Sequence, residues 1–388
     1  MTGVLSKRRK ELKTPEEWKS HWQAQGQEWR TEPEISPQRQ TELTQHRTLS
    51  PDEKKGIYPF GGVKLDRADV EWLLATHENG RGPVIWSDET QRTRGGPDLC
   101  GADLRGDETQ KCNLEGLPLS RVIGNIDGLN IGETQVEQAA IHLEGAYLSY
   151  AHLEEAHLSY AHLEGADLRK AHLEGTHLRK AHLEGAYLRD AHLEGAYLRD
   201  AHFEGAYLRK AHLEGADLRD AHLEGADLYK ARLERADLLK AHLEGAYLSY
   251  AHLEEAHLRD ARLERADLLK AHLEGANLRD AHLEGANLRD AHLEGANLAD
   301  IHLADTQHIG PFFADTQWGG CNLAVVEWSQ ISILRDEYLA RQKKDDTGDK
   351  KDKGARLDEY KVAVRANRQL SVRPISVFLT KRYDVPYN

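Results

Sequence analysis

Large apolar side chains are scarce: five Phe and one Met occur in 388 residues, with 39% hydrophobic and 30% charged residues. That stock cannot fill an interior of ordinary width, so the chain is either largely disordered or built on a narrow core of small, repeated side chains. Cys100, Cys112 and Cys321 are the three cysteines, too few for a disulfide framework, not spaced as metal ligands and suited to a reducing compartment. No run approaches the roughly 18 apolar residues of a membrane span, and MTGVLSKRRKELK lacks the apolar stretch of a secretory signal. A cytoplasmic location is therefore expected. Positive charge is not in excess either, and a net charge of −13 argues against direct nucleic-acid binding. Glycine-rich phosphate loops, nucleophile elbows and HExxH motifs are absent, and no cofactor is implied.

What is present divides into five stretches. Residues 1–96 carry helix starts: Thr14 before Pro15 with Glu17 completing a capping box, Ser36 before Pro37, Ser50 before Pro51, and Asp66 before a run that Asn79-Gly80 can stop. Trp18 and Trp22 lie one turn apart, and the polar stretch 80–97 reads as a loop pinned by Trp86. From 97 to 121 a beat of five places Leu99, Leu104, Leu114 and Leu119 in phase, with Thr109 on the missing beat. Residues 122–140 are an insertion, a loop followed by a short helix, after which the phase has slipped by one. The main array runs over 141–330, unbroken to Asp300 and weaker beyond. A helical region with a charged linker is expected over 331–388.

A period of five fits neither a strand nor a helix, so the chain must turn often. The workable answer is a solenoid in which each pentapeptide forms one side of a coil and the beat residue points inward. The blocks A-H-L-E-G and A-Y-L-R-D resemble the pentapeptide-repeat proteins, and the flanks look like those of a bacterial subgroup. The resemblance covers 97–121 and 141–330 and implies an all-β solenoid, a right-handed quadrilateral β-helix with about twenty residues per coil and α-helical flanking segments. It implies that Leu183, Leu188, Leu193 and Leu198 point inward in one coil, with Ala181, Ala186, Ala191 and Ala196 as their small neighbours. Phe203 replaces one inward Leu, Thr176 and His308 weaken the pattern, and Cys112 and Cys321 take the small inward position as structural thiols. Trp318 and Trp328 would close the C-terminal end. An open end exposes unpaired backbone, so the helical flanks are the natural caps.

Twenty-residue coils stack His162, His182, His202 and His222 in one row about 4.8 Å apart, a second histidine row on the opposite face, and Glu164, Glu184 and Glu204 beside the first. Such rows could bind metal or sense pH, but evenly spaced histidines do not converge as a tetrahedral site requires, so a stacked surface row is preferred and no metal is assigned. Repulsion between glutamates is expected to be relieved across edges by Arg169, Arg189 and Arg209. Outward tyrosines such as Tyr187 and Tyr207 read as stacked rows before binding anchors. Every acid–base pair in the array belongs to a repeated row, whereas catalysis needs one unique constellation, so no enzyme is expected.

The preferred function is a non-catalytic interaction or scaffold protein with flat faces for a protein partner. The first alternative comes from the family, some of whose members mimic DNA and bind type II topoisomerases such as gyrase. A rod of about nine coils, some 45 Å long, and a charge of about −10 over residues 141–300 are compatible with that. The second is a pH or metal sensor. A homodimer is left open by the sequence.

Overall fold

The computed structural model describes residues 14–50, 57–106, 110–125, 136–137 and 139–302. Cys321, Trp318, Trp328, His308, Thr109, the helix start at Ser50-Pro51 and the C-terminal helical region fall wholly or partly outside them.

Three helices precede the array: α1 (Pro15–Gln23), α2 (Pro37–Arg47) and α3 (Arg67–Gly80). Each starts where a side chain satisfies an orphan amide. Thr14 Oγ1 accepts from Glu17 N at 3.3 Å while Glu17 accepts from Thr14 N, Ser36 Oγ accepts from Arg39 N, and Asp66 and Asp69 form a second reciprocal box. Helical dihedrals stop before His77, and Glu78, Asn79 and Gly80 have φ of 47°, 59° and 86°, so the left-handed turn begins earlier than Asn79-Gly80 alone suggests.

Over the described part of the array, residues 141–302, the pentapeptides repeat one backbone program. The second residue bridges in parallel to the residue twenty positions on, as in His162 to His182 and Asp167 to Tyr187, giving four pairings per coil. Around Leu183, His182 N donates to Ala161 O (2.9 Å) in the coil before, and Leu183 N (2.7 Å) and Gly185 N (3.1 Å) donate to His202 O and Glu204 O in the coil after. Ala186 N closes a turn on Leu183 O at 3.0 Å. The fifth residue takes the left-handed conformation this turn requires, with φ of 63° at Gly185 and 56° at Asp200. Where Asp or Asn holds the second position its side chain accepts the fourth residue's amide, as Asp217 does from Arg219 N at 3.3 Å.

The interior is a column of Leu and Ala. Leu183, Leu188, Leu193, Leu198, Phe203, Ala181, Ala186, Ala191 and Ala196 are all fully buried. Each Leu contributes roughly 1.5–3 kcal/mol, and alanine leaves room for four sides to meet around a narrow axis. Thr176 is buried on a small inward position and gives its hydroxyl to Leu153 O at 2.8 Å, so the extra polar atom is satisfied. Burial raises the pKa of the Cys112 thiol to about 12, as befits an inert packing group.

The short array belongs to the same stack. Asp98 bridges to Ile123, one pentapeptide farther along than the twenty residues of the main array, and Asp103, Asn113, Pro118 and Ile123 bridge to His142, Tyr147, His152 and His157. In sequence the insertion and its phase slip fall between the successive bridge positions Ile123 and His142. Residues 60–65 add a further rung: Phe60 N, Gly62 N and Leu65 N donate to Cys100 O, Gly101 O and Asp103 O at 3.2, 3.0 and 2.9 Å. Leu43 from α2 and Val70, Leu73 and Leu74 from α3 join the column's own hydrophobic cluster, which covers the end of the coil. Arg67 fastens this cover, donating to Asn113 O and Glu115 O of the coil and to the buried carboxylate of Glu71. Glu71 also accepts from Thr31 N and Glu32 N, tying the segment between α1 and α2 to α3. Among the described residues no helix is long and apolar enough to cross a membrane.

Candidate functional site

The four sides of each coil present two kinds of surface. The first face carries positions 142, 162 and so on to 302, and the third carries 152 to 292; both read His-Leu-Glu-Gly with few exceptions. The second face (147 to 287) and the fourth (157 to 297) carry Tyr, Asp, Asn or His at the bridge and, at about half of the coils, Arg two residues later. Because the sequence repeats every ten residues and the coil every twenty, opposite faces are alike and adjacent faces differ.

On the first face His162, His182, His202 and His222 stack ring on ring, with centroids 5.0, 5.1 and 4.8 Å apart. The third face does the same from His152 through His172 to His192, at 4.7 and 5.0 Å. Each imidazole places Nδ1 against the glutamate two residues on: His162 to Glu164 at 3.3 Å, His182 to Glu184 at 3.4 Å and His202 to Glu204 at 3.3 Å. Several glutamates reach two imidazoles at once. Glu194 Oε1 lies 3.2 Å from His192 Nδ1 and 3.4 Å from His212 Nδ1. Glu224 Oε1 lies 3.5 Å from both His222 and His242. The rows that sequence reasoning treats as parallel and non-convergent therefore converge pairwise, because the 4.8 Å rise between coils is no longer than a side chain's sideways reach.

The arginines do not relieve the glutamates. Arg169 pairs with Asp167 (2.5 Å), Arg189 with Asp190 (3.3 Å) and Arg209 with Asp227 (3.6 Å), all within the second face. The bridge and fourth residues of one strand both point outward side by side, whereas a glutamate on the next face lies around a corner. The expected neutralisation across edges is thus replaced by pairing with Asp. The exceptions stand in the histidine rows themselves. Arg232 Nε lies 2.9 Å from Glu214 and 3.4 Å from Glu234, and Arg262 Nε 2.9 Å from Glu244 and 3.6 Å from Glu264.

Hydrogen bonds to Glu154 and Glu164 raise the His152 and His162 pKa values despite partial burial. Burial pushes Glu154 and Glu164 upward, but bonds from these imidazoles, and from Ser120 for Glu154, hold both carboxyls below their ordinary value. Among the described residues one constellation lacks a copy elsewhere in the rows. Ser120 Oγ and His152 Nδ1 both meet Glu154, at 2.6 and 2.9 Å, in a groove of about 450 Å³ that Trp29 and Trp86 also line. The serine gives its proton to the carboxylate and not to the imidazole, so this is not the arrangement of an activated nucleophile. On the second face Tyr187 and Tyr207 stack at 5.0 Å while each stays about half exposed. Lys170 and Lys180 lie 5.2 and 5.5 Å from the rings of Tyr150 and Tyr160.

Pentapeptide repeats, in eight copies, match this chain over residues 140–175, 166–205, 201–239, 236–275 and 266–305. No curated protein matches it. Among solved structures it is similar to HetL of the cyanobacterium Nostoc, a pentapeptide repeat protein involved in heterocyst differentiation regulation. That likeness has 27% identity, 66% of this chain, 97% of that one and a TM-score of 0.25. It is also similar to full-length QnrB1, a plasmid-mediated fluoroquinolone resistance protein (17% identity, 52% and 96% covered, TM-score 0.25). A third is Rfr23, a pentapeptide repeat protein of the cyanobacterium Cyanothece (31% identity, 30% and 58% covered, TM-score 0.16). With TM-scores this low, the coil geometry rests on the bridges and hydrogen bonds described above. The five-residue beat, the twenty-residue bridge spacing and the matched repeats agree, and residues 140–305 are an array of pentapeptide repeats.

Proposed function

We propose that the chain is a non-catalytic interaction protein, a right-handed quadrilateral β-helix that offers flat, striped faces to a protein partner. The observation that carries this reading is the pairing of opposite faces: two of stacked His and Glu, two of Tyr, Asp and Arg, each extending coil after coil. A partner with a matching repeat of charge or aromatic groups would gain from many weak contacts in register. The described polar residues of the array stand in rows, Ser120 beside them is bound to a carboxylate, and the large inward side chains leave the column filled. These features suit a surface that binds and does not transform.

Affinity capture on the full chain, with captured proteins identified by mass spectrometry, tests the reading. Retention of a defined protein, lost on replacing Tyr187, Tyr197 and Tyr207 together by Ser while the fold persists, supports it; turnover of a small molecule by the purified chain overturns it. Mimicry of DNA toward a type II topoisomerase is the narrower form of the same proposal. The rod's length and acidic total favour it, while the Arg columns on two faces weigh against it. A supercoiling assay with gyrase in which micromolar protein has no effect removes that form and leaves the broader one standing.

A further inference from the structure

The glutamates of the first and third faces are short of partners. Glu164, Glu184, Glu204 and Glu224 each have Oε2 enclosed and, among the described residues, without a hydrogen bond. The same holds for Glu284, whose side chain is only 9% exposed. An enclosed carboxylate oxygen without a donor is costly, and repeating it at every coil multiplies the cost. Where the sequence departs from His, it installs a permanent cation: Arg232 and Arg262 each bridge the carboxylates of two successive coils. The rungs are thus built for positive charge between coils.

The donors for a metal ion are already grouped. In His142–Glu144–His162, His192–Glu194–His212 and His202–Glu204–His222, one donor atom from each residue lies within 4.8 Å of the other two, as it does in His152–Glu154–His172 and His222–Glu224–His242. Two imidazoles and one carboxylate are the donor set of borderline divalent ions such as Zn²⁺. Two nitrogens on one such ion must approach to roughly 3.4 Å, given bonds of about 2.1 Å and tetrahedral angles. The parallel rings can reach this by tilting toward each other. His192 with His212, and His222 with His242, already tilt by 37° and 33° with their coils in regular register.

We propose that the first and third faces are ladders for divalent transition-metal ions, each ion held between successive coils by two histidines and the glutamate between them. Binding would cross-link neighbouring coils through side chains and neutralise the glutamate row. Arg232 and Arg262 would interrupt the ladders with fixed charges.

The test uses the full chain, metal-stripped and then titrated with zinc chloride by calorimetry, with zinc retained after desalting measured by atomic emission. Several zinc ions per chain are expected, together with a higher melting temperature. Replacing Glu184, Glu204 and Glu224 by Gln should weaken the ions of that stretch at least tenfold while circular dichroism confirms the fold. Replacing His182, His202 and His222 by Gln should remove those ions and leave the third face loaded. Absence of heat and of retained zinc overturns the proposal. So does a Glu-to-Gln variant that binds zinc as the parent does, since adsorption on exposed imidazoles would not need the carboxylates.

Discussion

Replacing Leu193 by Ala should destabilise the solenoid by about 3–5 kcal/mol, the upper part of the range for such truncations. Leu193 is fully buried, as are Leu183, Leu188 and Leu198 around it in its coil, and Leu173 and Leu213 lie on the same side one coil before and after. The hole left behind cannot close. His192 N is held to Ala171 O at 2.9 Å and Leu193 N to His212 O at 2.7 Å, so the backbone that would have to move in is fixed to both neighbouring coils. Tyr197, at 51% exposure, is the control: Tyr197→Ala removes a larger side chain but little buried area and should cost below about 1 kcal/mol. Urea unfolding followed by far-UV circular dichroism reads the difference. Amide exchange should show the loss concentrated in the coils next to Leu193, since each repeat contacts only its neighbours. A cost below about 1.5 kcal/mol for Leu193→Ala, or an equal cost for the two variants, refutes a close-packed column.

Corner residues should respond with opposite signs. Asp200→Gly, at φ 56°, should stabilise by about 1 kcal/mol, and Gly185→Ala, where an added Cβ meets nothing within 4 Å, should destabilise by about as much, both read from denaturation midpoints. pH should matter through the rungs. His152 and His162, raised in the fold, contribute stability below the ordinary imidazole value that is lost as pH climbs through their raised values. Glu154 and Glu164, depressed, contribute above the ordinary carboxylate value. Both contributions are present together between about pH 4.5 and 6.5, so the metal-free chain should melt higher at pH 5.5 than at pH 8, and a flat or reversed profile contradicts this. Glu71→Ala should cost about 3–5 kcal/mol within the N-terminal cover by leaving the Arg67 guanidinium without its carboxylate and two amides without their acceptor, and light scattering should detect end-to-end association of the uncovered coil.

Much of this was legible in the letters. The five-residue beat is enough to put Leu193 inside and Glu194 outside, because adjacent side chains of a short extended side point in opposite directions. The caps at Thr14, Ser36 and Asp66 are local devices and read locally. Less legible was the cover of the first coil. The stretch PFGGVKL (59–65) has neither strand nor repeat pattern, and its place is set by hydrogen bonds to residues about forty positions away. The pairing of arginine with Asp instead of Glu depends on which side chains share a face and which are separated by a corner. The convergence of His and Glu is not legible in the spacing along a row, because it depends on the lateral reach of the glutamate, which brings one carboxylate between two rings.

The central claim is that columns of like residues, and not any single site, form the working surface. Two internal deletions separate the columns from the fold. Removing residues 181–190 keeps every following pentapeptide on a face of its own kind, whereas removing 181–185 turns the rest of the rod by a quarter and places His-Glu columns in line with Tyr-Arg ones, both with the core beat intact. Binding of each variant to the protein captured by the intact chain is then measured side by side. The account predicts that both variants fold, that the ten-residue deletion keeps the partner and that the five-residue deletion loses it. Equal binding by the two folded variants would contradict it.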